Sequence, residues 1–200
     1  MAANIYQLKI ALAGAPEPIW RVVEVSSDTS FYLFHCIIQG AMGWENGHLH
    51  QFITKDRRFL GIPSSEDFFE IEDARKIKLA DELLAERDII IYEYDFGDSW
   101  EHKVTLQKVL TPAAGVVYPQ LVKGKNACPP EDCGGVWGYA ELLKVLQDPA
   151  SKDYGRMCEW LGIASGSDFD PTHFDVQKQT KEMQAMYAKG KRMKGKEFFW

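Results

Sequence analysis

Two hundred residues, 46% hydrophobic and 26% charged, suit one soluble globular domain able to bury a sizeable core. No segment approaches the roughly 18–20 uninterrupted apolar residues of a membrane span. The opening MAANIYQLKIALAG lacks the basic and apolar regions of a signal peptide, so a cytoplasmic protein with no membrane partner is expected. Net charge is −6 and unevenly spread: from Val176 to Trp200 seven Lys/Arg face two Glu for +5, leaving −11 on the remainder.

In chain order, Ile5–Leu12 alternates as a strand, Ala13–Pro18 is a turn and Ile19–Val25 is a second strand, which makes an opening hairpin. Ser26, Ser27 and Asp28 are N-cap candidates for a helix from about Thr29 to Met42, with Gly43 as its stop. His48–Thr54 reads as a strand that places His48, His50 and Phe52 on one face. Residues 55–78 show no clear period, and Leu79–Arg87 reads as a short amphipathic helix. Asp88–Phe96 and Trp100–Leu110 form strands joined across Gly97–Ser99, with Tyr92, Tyr94 and Phe96 sharing one packing face, and Thr111–Lys125 is loop-like. Tyr139, Leu142, Leu143 and Leu146 mark a helix ended at Asp148–Pro149, and Tyr154–Leu161 marks another ended by Gly162. Asp170–Pro171 opens a weaker third helix toward Tyr187, and Gly190 and Gly195 in a basic run argue for fraying. The organisation is therefore a domain over 1–177 with a basic, frayed tail at 178–200. Strands first and helices later predict an α+β fold: an opening β-hairpin and helix on a mixed or antiparallel sheet, by analogy a β-grasp-like core, with C-terminal helices.

Two dense segments are candidates for chemistry. The hairpin around IIIYEYDFGDSWEH brings Asp95, Asp98, Glu101 and His102 close enough for acid–base work or cation binding, though turn chemistry also explains its aspartates. Its Asp-Phe-Gly lacks the other kinase motifs. The loop ACPPEDCGGVWGY spaces Cys128 and Cys133 as zinc ligands can be spaced, without a second pair, and stiffens the interval with Pro129 and Pro130. His35, His48, His50 or His102 would complete a four-ligand zinc or other divalent site with the two cysteines if the fold brings them near. Cys36 and Cys158 lie in apolar helical patterns and read as buried hydrophobes. Trp20, Trp44, Trp100 and Trp137 suit a stacking surface or the core, and Arg21 points to the opposite strand face from Trp20.

PIWRVVEV (18–25), AMGW (41–44), HLHQF (48–52), YDFGDSWEH (94–102) and CPPEDCGGVWGY (128–139) together resemble the plasmid pRiA4b ORF-3-like family, some of whose members are labelled passengers of insertion sequences. The likeness covers about residues 5–177 and departs at Val22, where a second arginine is expected. It implies an α+β fold and a shared pocket among Arg21, Trp44, His48, His50, Asp95, Asp98, Trp100, His102, Cys128, Asp132 and Cys133, with no activity to carry over.

Three functions are consistent with these residues. The first is a binding module whose pocket lies between the 94–102 hairpin and the 128–139 loop. There Arg21 and the histidines would recognise a small polar or anionic ligand beside Trp44, Asp95, Asp98, Glu131 and Asp132, with Trp100 and Trp137 as apolar walls. The second is a metal-dependent hydrolase-like enzyme with Asp98, His102 and His48 or His50 as ligands and Glu131 or Asp132 as base. The third is a DNA-associated accessory protein of a mobile element, binding nucleic acid through the 178–196 tail.

Overall fold

A computed structural model of the chain describes residues 3–65 and 70–193. Strands β1 (Ile5–Leu12) and β2 (Trp20–Ser26) form the opening antiparallel hairpin, and helix α1 (Phe31–Met42) follows. Next come β3 (His50–Ile53), β4 (Phe59–Gly61), β5 (Ile71–Asp73), a single turn of helix α2 (Leu79–Glu82), β6 (Ile89–Tyr94), β7 (Trp100–Leu110) and β8 (Gln120–Lys125). Helices α3 (Gly135–Gln147), α4 (Tyr154–Leu161) and α5 (Val176–Met193) complete the described chain. The strands form one sheet in the order β5-β4-β3-β6-β7-β1-β2-β8, antiparallel except for the β4–β5 pair. This mixed eight-stranded sheet with five helices among the described residues is an α+β fold.

One face of the sheet is apolar and the other is wet, as expected where strand side chains alternate and only one face is covered. Across the covered face, Arg21, Ile10, Val104 and Ile90 form one row, and Leu12, His102, Tyr92, Phe52 and Leu60 a second. Trp100, Tyr94 and His50 make a third. On the open face the Lys9 ammonium lies 5.2 Å from the Trp20 ring, and Gln7 donates to Glu24.

Helix α1 lies on the covered face and is buried on every side except at Leu33. A helix apolar all round must be covered all round. The sheet covers one side, through Phe31 and Phe34 against Phe52, and α5 covers the other, with Gly40 against the backbone of Met183. Phe31, Phe34, Ile37 and Ile38 are fully buried, each worth about 1.5–3 kcal/mol of apolar transfer. The helix ends as its sequence dictates, with Gly43 left-handed and its N–H on Gln39 O at 2.8 Å.

Several boundaries differ from the sequence reading for local reasons. The α1 cap is Ser30, whose Oγ accepts from Leu33 N; the carbonyls of Ser27 and Thr29 instead accept from Ala80 and Leu79 at the start of α2. Helix α2 stops after one turn because the Asp88 carboxylate accepts from Leu84 and Ala85 and folds the chain into a turn. Residues 120–125, read as loop, form edge strand β8, and the aperiodic 55–78 stretch holds the short strands β4 and β5. Phe96 lies exposed in the 95–99 turn rather than on the face of Tyr92 and Tyr94. Asp170 caps a turn at Thr172, whereas Asp175 accepts from Gln177 and Lys178 and opens α5. Residues 178–193, assigned from sequence to the basic tail with a helix reaching only toward Tyr187, are helical to Met193, with Met183 and Gly190 buried. Lys194, Gly195 and Lys196 lie outside the described residues.

Candidate functional site

A cavity of about 570 Å³ opens between the end of α1, the 127–132 loop and the segment leading into α5. Arg21 lines it from β2 while being 1% exposed. Its Nε donates to Ala41 O at 2.9 Å, and Nη1 donates to Trp20 O at 3.0 Å and Lys125 O at 2.9 Å. All three acceptors are neutral carbonyls, and Nη2 finds no acceptor among the described residues. Burial therefore pulls the guanidinium pKa below its ordinary value. The Phe174 ring covers the guanidinium at 4.1 Å to its centroid, a cation–π contact in a desolvated setting.

The 127–132 loop is fastened on several sides. Trp44 Nε1 donates to Pro129 O at 3.0 Å, Glu45 N donates to Glu131 Oε2 at 2.9 Å, and Ala127 N donates to Pro171 O at 2.9 Å. Tyr94 donates its hydroxyl proton to Glu131 and accepts from Gly47 N at 3.0 Å. Trp44 also stacks on Tyr94 at 5.1 Å and meets the edge of His102 at 5.3 Å. The prolines at 129 and 130 and the left-handed Asn126 and Asp132 shape this loop. Cys128 forms part of the cavity wall, and burial raises its thiol pKa while the Arg21 charge opposes that shift.

The predicted hairpin reaches the same loop on its far side. Asp98 accepts from Gly134 N at 3.1 Å, so the 95–99 turn holds the entry to α3. His48 stands between two carboxylates, with Nδ1 3.8 Å from Asp95 Oδ1 and Nε2 3.1 Å from Asp132 Oδ1. One ligand atom from each of these residues lies within 4.8 Å of the other two, the only such three-residue donor group among the described residues. This set is one imidazole with two carboxylates, so it suits a hard or borderline divalent ion. It differs from the sequence-predicted set.

The other predicted metal ligands serve elsewhere. His50 stacks on His35, ring centroids 3.4 Å apart and 5° from parallel. His35 pairs with Asn46 Oδ1 at 2.5 Å and with the Tyr92 hydroxyl at 2.8 Å, and Gln39 donates to the same hydroxyl. Burial holds His35 neutral, with a pKa pulled down to about 3, and lowers that of His50 well below its ordinary value. His102 is fully buried, pairs Nδ1 with Trp100 O at 3.0 Å, and is pulled down to about 4 by burial. Cys133 lies in a separate groove beside α3, its thiol pushed up to about 12, again chiefly by burial. Asp98 is occupied by Gly134 and His102 by the core, so the predicted hydrolase constellation does not assemble.

The predicted cavity walls also change. Trp100 is fully buried in the core and Trp137 is 85% exposed, and neither lines the cavity. Trp44, Pro129, Pro130 and Phe174 do. Glu131 and Asp132 line it as well, whereas Asp95 and Asp98 stand behind the loop. Sequence reading missed Glu45, Phe174, Lys178 and Glu182, which come from two segments about 130 residues apart in the chain with no shared motif. His35 and Gln39 did carry a signal, as polar residues four apart on an otherwise apolar helix. Of the basic residues assigned to the tail, Lys178 lies at the cavity and Lys181, Lys189, Lys191 and Arg192 lie further along α5. No described helix is long and apolar enough to cross a membrane.

A family model described as plasmid pRiA4b ORF-3-like protein matches residues 4–178. The chain is 35% identical over 193 residues to an uncharacterized protein, y4hQ, of Sinorhizobium fredii, covering 94% of this chain and 95% of that one. Its structure is similar to the crystal structure of a protein of unknown function, MM3350, from Methanosarcina mazei Go1. That match has a TM-score of 0.77 and 37% identity, and covers 88% of this chain and 98% of the other.

Proposed function

The chain belongs to the plasmid pRiA4b ORF-3-like family, and from that premise we propose that it is a binding module for a small anionic ligand taken up by the Arg21 cavity. One observation carries this reading: a guanidinium 1% exposed, bonded only to neutral carbonyls, at a cavity large enough for a small molecule. A buried charge is costly unless compensated, and a carboxylate or phosphate bonded to the free Nη2 would supply the missing countercharge. Phe174 and Trp44 add apolar cover, which strengthens such a contact by excluding water.

Thermal-shift and calorimetric titration with acetate, succinate, ethyl phosphate and inorganic sulfate test this. Saturable binding by one of the organic anions, weakened about tenfold or more in a folded Arg21→Lys variant, is the expected result. Equal binding in wild type and variant, or no binding by any of the four, overturns the reading.

A second reading rests on the His48, Asp95 and Asp132 group, which has the donor chemistry of a divalent-cation site. One ion can take only one ring nitrogen, so His48 would turn to present Nδ1 or Nε2 alone. Calorimetric titration with Mn²⁺ and Zn²⁺ should show one site per chain that is lost in Asp95→Asn/Asp132→Asn. Affinity unchanged in that variant, or no saturable binding, removes the reading.

A further inference from the structure

We infer that the ligand of the Arg21 cavity is a zwitterion, a small molecule whose anionic group meets Arg21 and whose cationic group sits at the cavity mouth. This rests on the binding reading above and adds the ligand's chemical class. The cavity is electrically polarised. Its deep charge is the guanidinium, nine-tenths buried and more, with Nη2 left without an acceptor among the described residues. Around it stand five carboxylates, those of Glu45, Glu131, Asp132, Asp175 and Glu182, against one further cation, Lys178.

Those carboxylates are not equivalent. Glu131 is held by Tyr94 and Glu45 N, Asp132 by His48, and Asp175 by the first amides of α5. The exposed Glu45 carboxylate has no partner among the described residues. Glu182 accepts from Gln179 at 2.8 Å and has Lys178 at 3.9 Å, a loose and solvent-screened pair. Glu45 and Glu182 also line a second cavity of about 600 Å³ that continues along α5 toward Lys189 and Arg192, so the two carboxylates stand where the two spaces join.

An anion with no positive group would be drawn to Arg21 but would leave the Glu45 and Glu182 carboxylates at the mouth with no cation from the ligand. A cation with no negative group would be held at the mouth and rejected by the guanidinium. A zwitterion satisfies both ends. Electrostatic complementarity of this kind acts first on selectivity, through penalties on the wrong charge pattern.

Calorimetric titration with two matched series tests the assignment: γ-aminobutyrate, butyrate and butylamine, then phosphoethanolamine, ethyl phosphate and ethylamine. In at least one series the zwitterion should bind about fivefold or more tighter than the matching anion, with the amine not detectably bound. Glu45→Gln/Glu182→Gln, which alters only exposed side chains, should abolish that margin while leaving the anion's affinity equal or improved. Equal affinity for zwitterion and anion in wild type, or a margin that survives in the double variant, overturns the zwitterion assignment but leaves anion binding at Arg21 standing. No binding by any of the six, or binding undiminished in a folded Arg21→Lys variant, removes both. Should Arg21→Lys fail to fold, the double variant decides the class by itself.

Discussion

The Arg21 guanidinium and the Phe174 ring stack at 4.1 Å, and they do so across a position on β8 where no side chain fits. A Cβ at Gly124, the β8 partner of Arg21, would lie 2.5 Å from Phe174 Cζ and 2.9 Å from Arg21 Cδ. The glycine is therefore a condition of the stack. Gly124→Ala should displace Phe174 from the guanidinium and cost about 1–3 kcal/mol, the usual price of overpacking. Urea unfolding of the variant measures this, and a loss under about 0.5 kcal/mol would show that the ring moves aside freely.

Gly40 does the same for the helix pair. A Cβ there would sit 2.5 Å from Met183 Cα and 2.9 Å from Met183 N, both backbone atoms that cannot step aside alone. Gly40→Ala should push α5 off α1, with a loss of about 2–4 kcal/mol because Met183 and its surroundings are also unpacked. The start of α5 walls the cavity, so anion binding should weaken along with stability. Amide exchange localised to α5 in the variant would check the cause.

The loop beside the cavity depends on one hydroxyl. Tyr94 donates to Glu131 and accepts from Gly47 N, so Tyr94→Phe leaves a half-buried carboxylate oxygen and an amide each short of a partner. Glu131 keeps Glu45 N as its second donor. A loss of about 1–3 kcal/mol is expected, with earlier proteolytic cleavage within 127–132. Unchanged thermal stability and cleavage would show that the loop is held by Trp44 and the prolines instead.

Three buried imidazoles set the acid response. His35, His50 and His102 are all held below their ordinary pKa by burial, His35 at about 3 and His102 at about 4. In the unfolded chain each titrates near 6.5, so below that pH the unfolded state binds more protons. Their contribution is complete above about pH 6.5 and is lost progressively as pH falls toward the folded values. Each adds up to about 1.4 kcal/mol per pH unit, so the three give up to roughly 4 kcal/mol between about pH 6 and pH 5. The stacked pair sharpens the effect, because two rings 3.4 Å apart cannot both accept charge. Urea titrations across that interval check the slope, and equal stability at both ends would show the imidazoles already protonated in the fold.

Local patterns in the sequence determined the elements whose own residues specify them. The alternation of Ile5–Leu12, the apolar run of α1 with Gly43 at its end, and the Tyr154–Leu161 helix stopped by Gly162 were legible because capping and periodicity act over a few residues. The order of strands and helices pointed to the α+β class, while the resemblance to the family's motifs picked out Arg21, Trp44 and Asp132, and the composition of the 128–139 loop picked out Glu131. Edge strand β8 was hidden because an edge needs little apolar alternation and Gly124 breaks what there is. The site was decided by tertiary structure alone. Nothing near Arg21 in the chain announces Phe174, Glu45 or Glu182, and nothing near His50 announces that it would stack on His35. Burial and countercharge belong to the assembled packing. Trp137 and Trp100, alike as residue types, end at 85% exposed and fully buried for that reason.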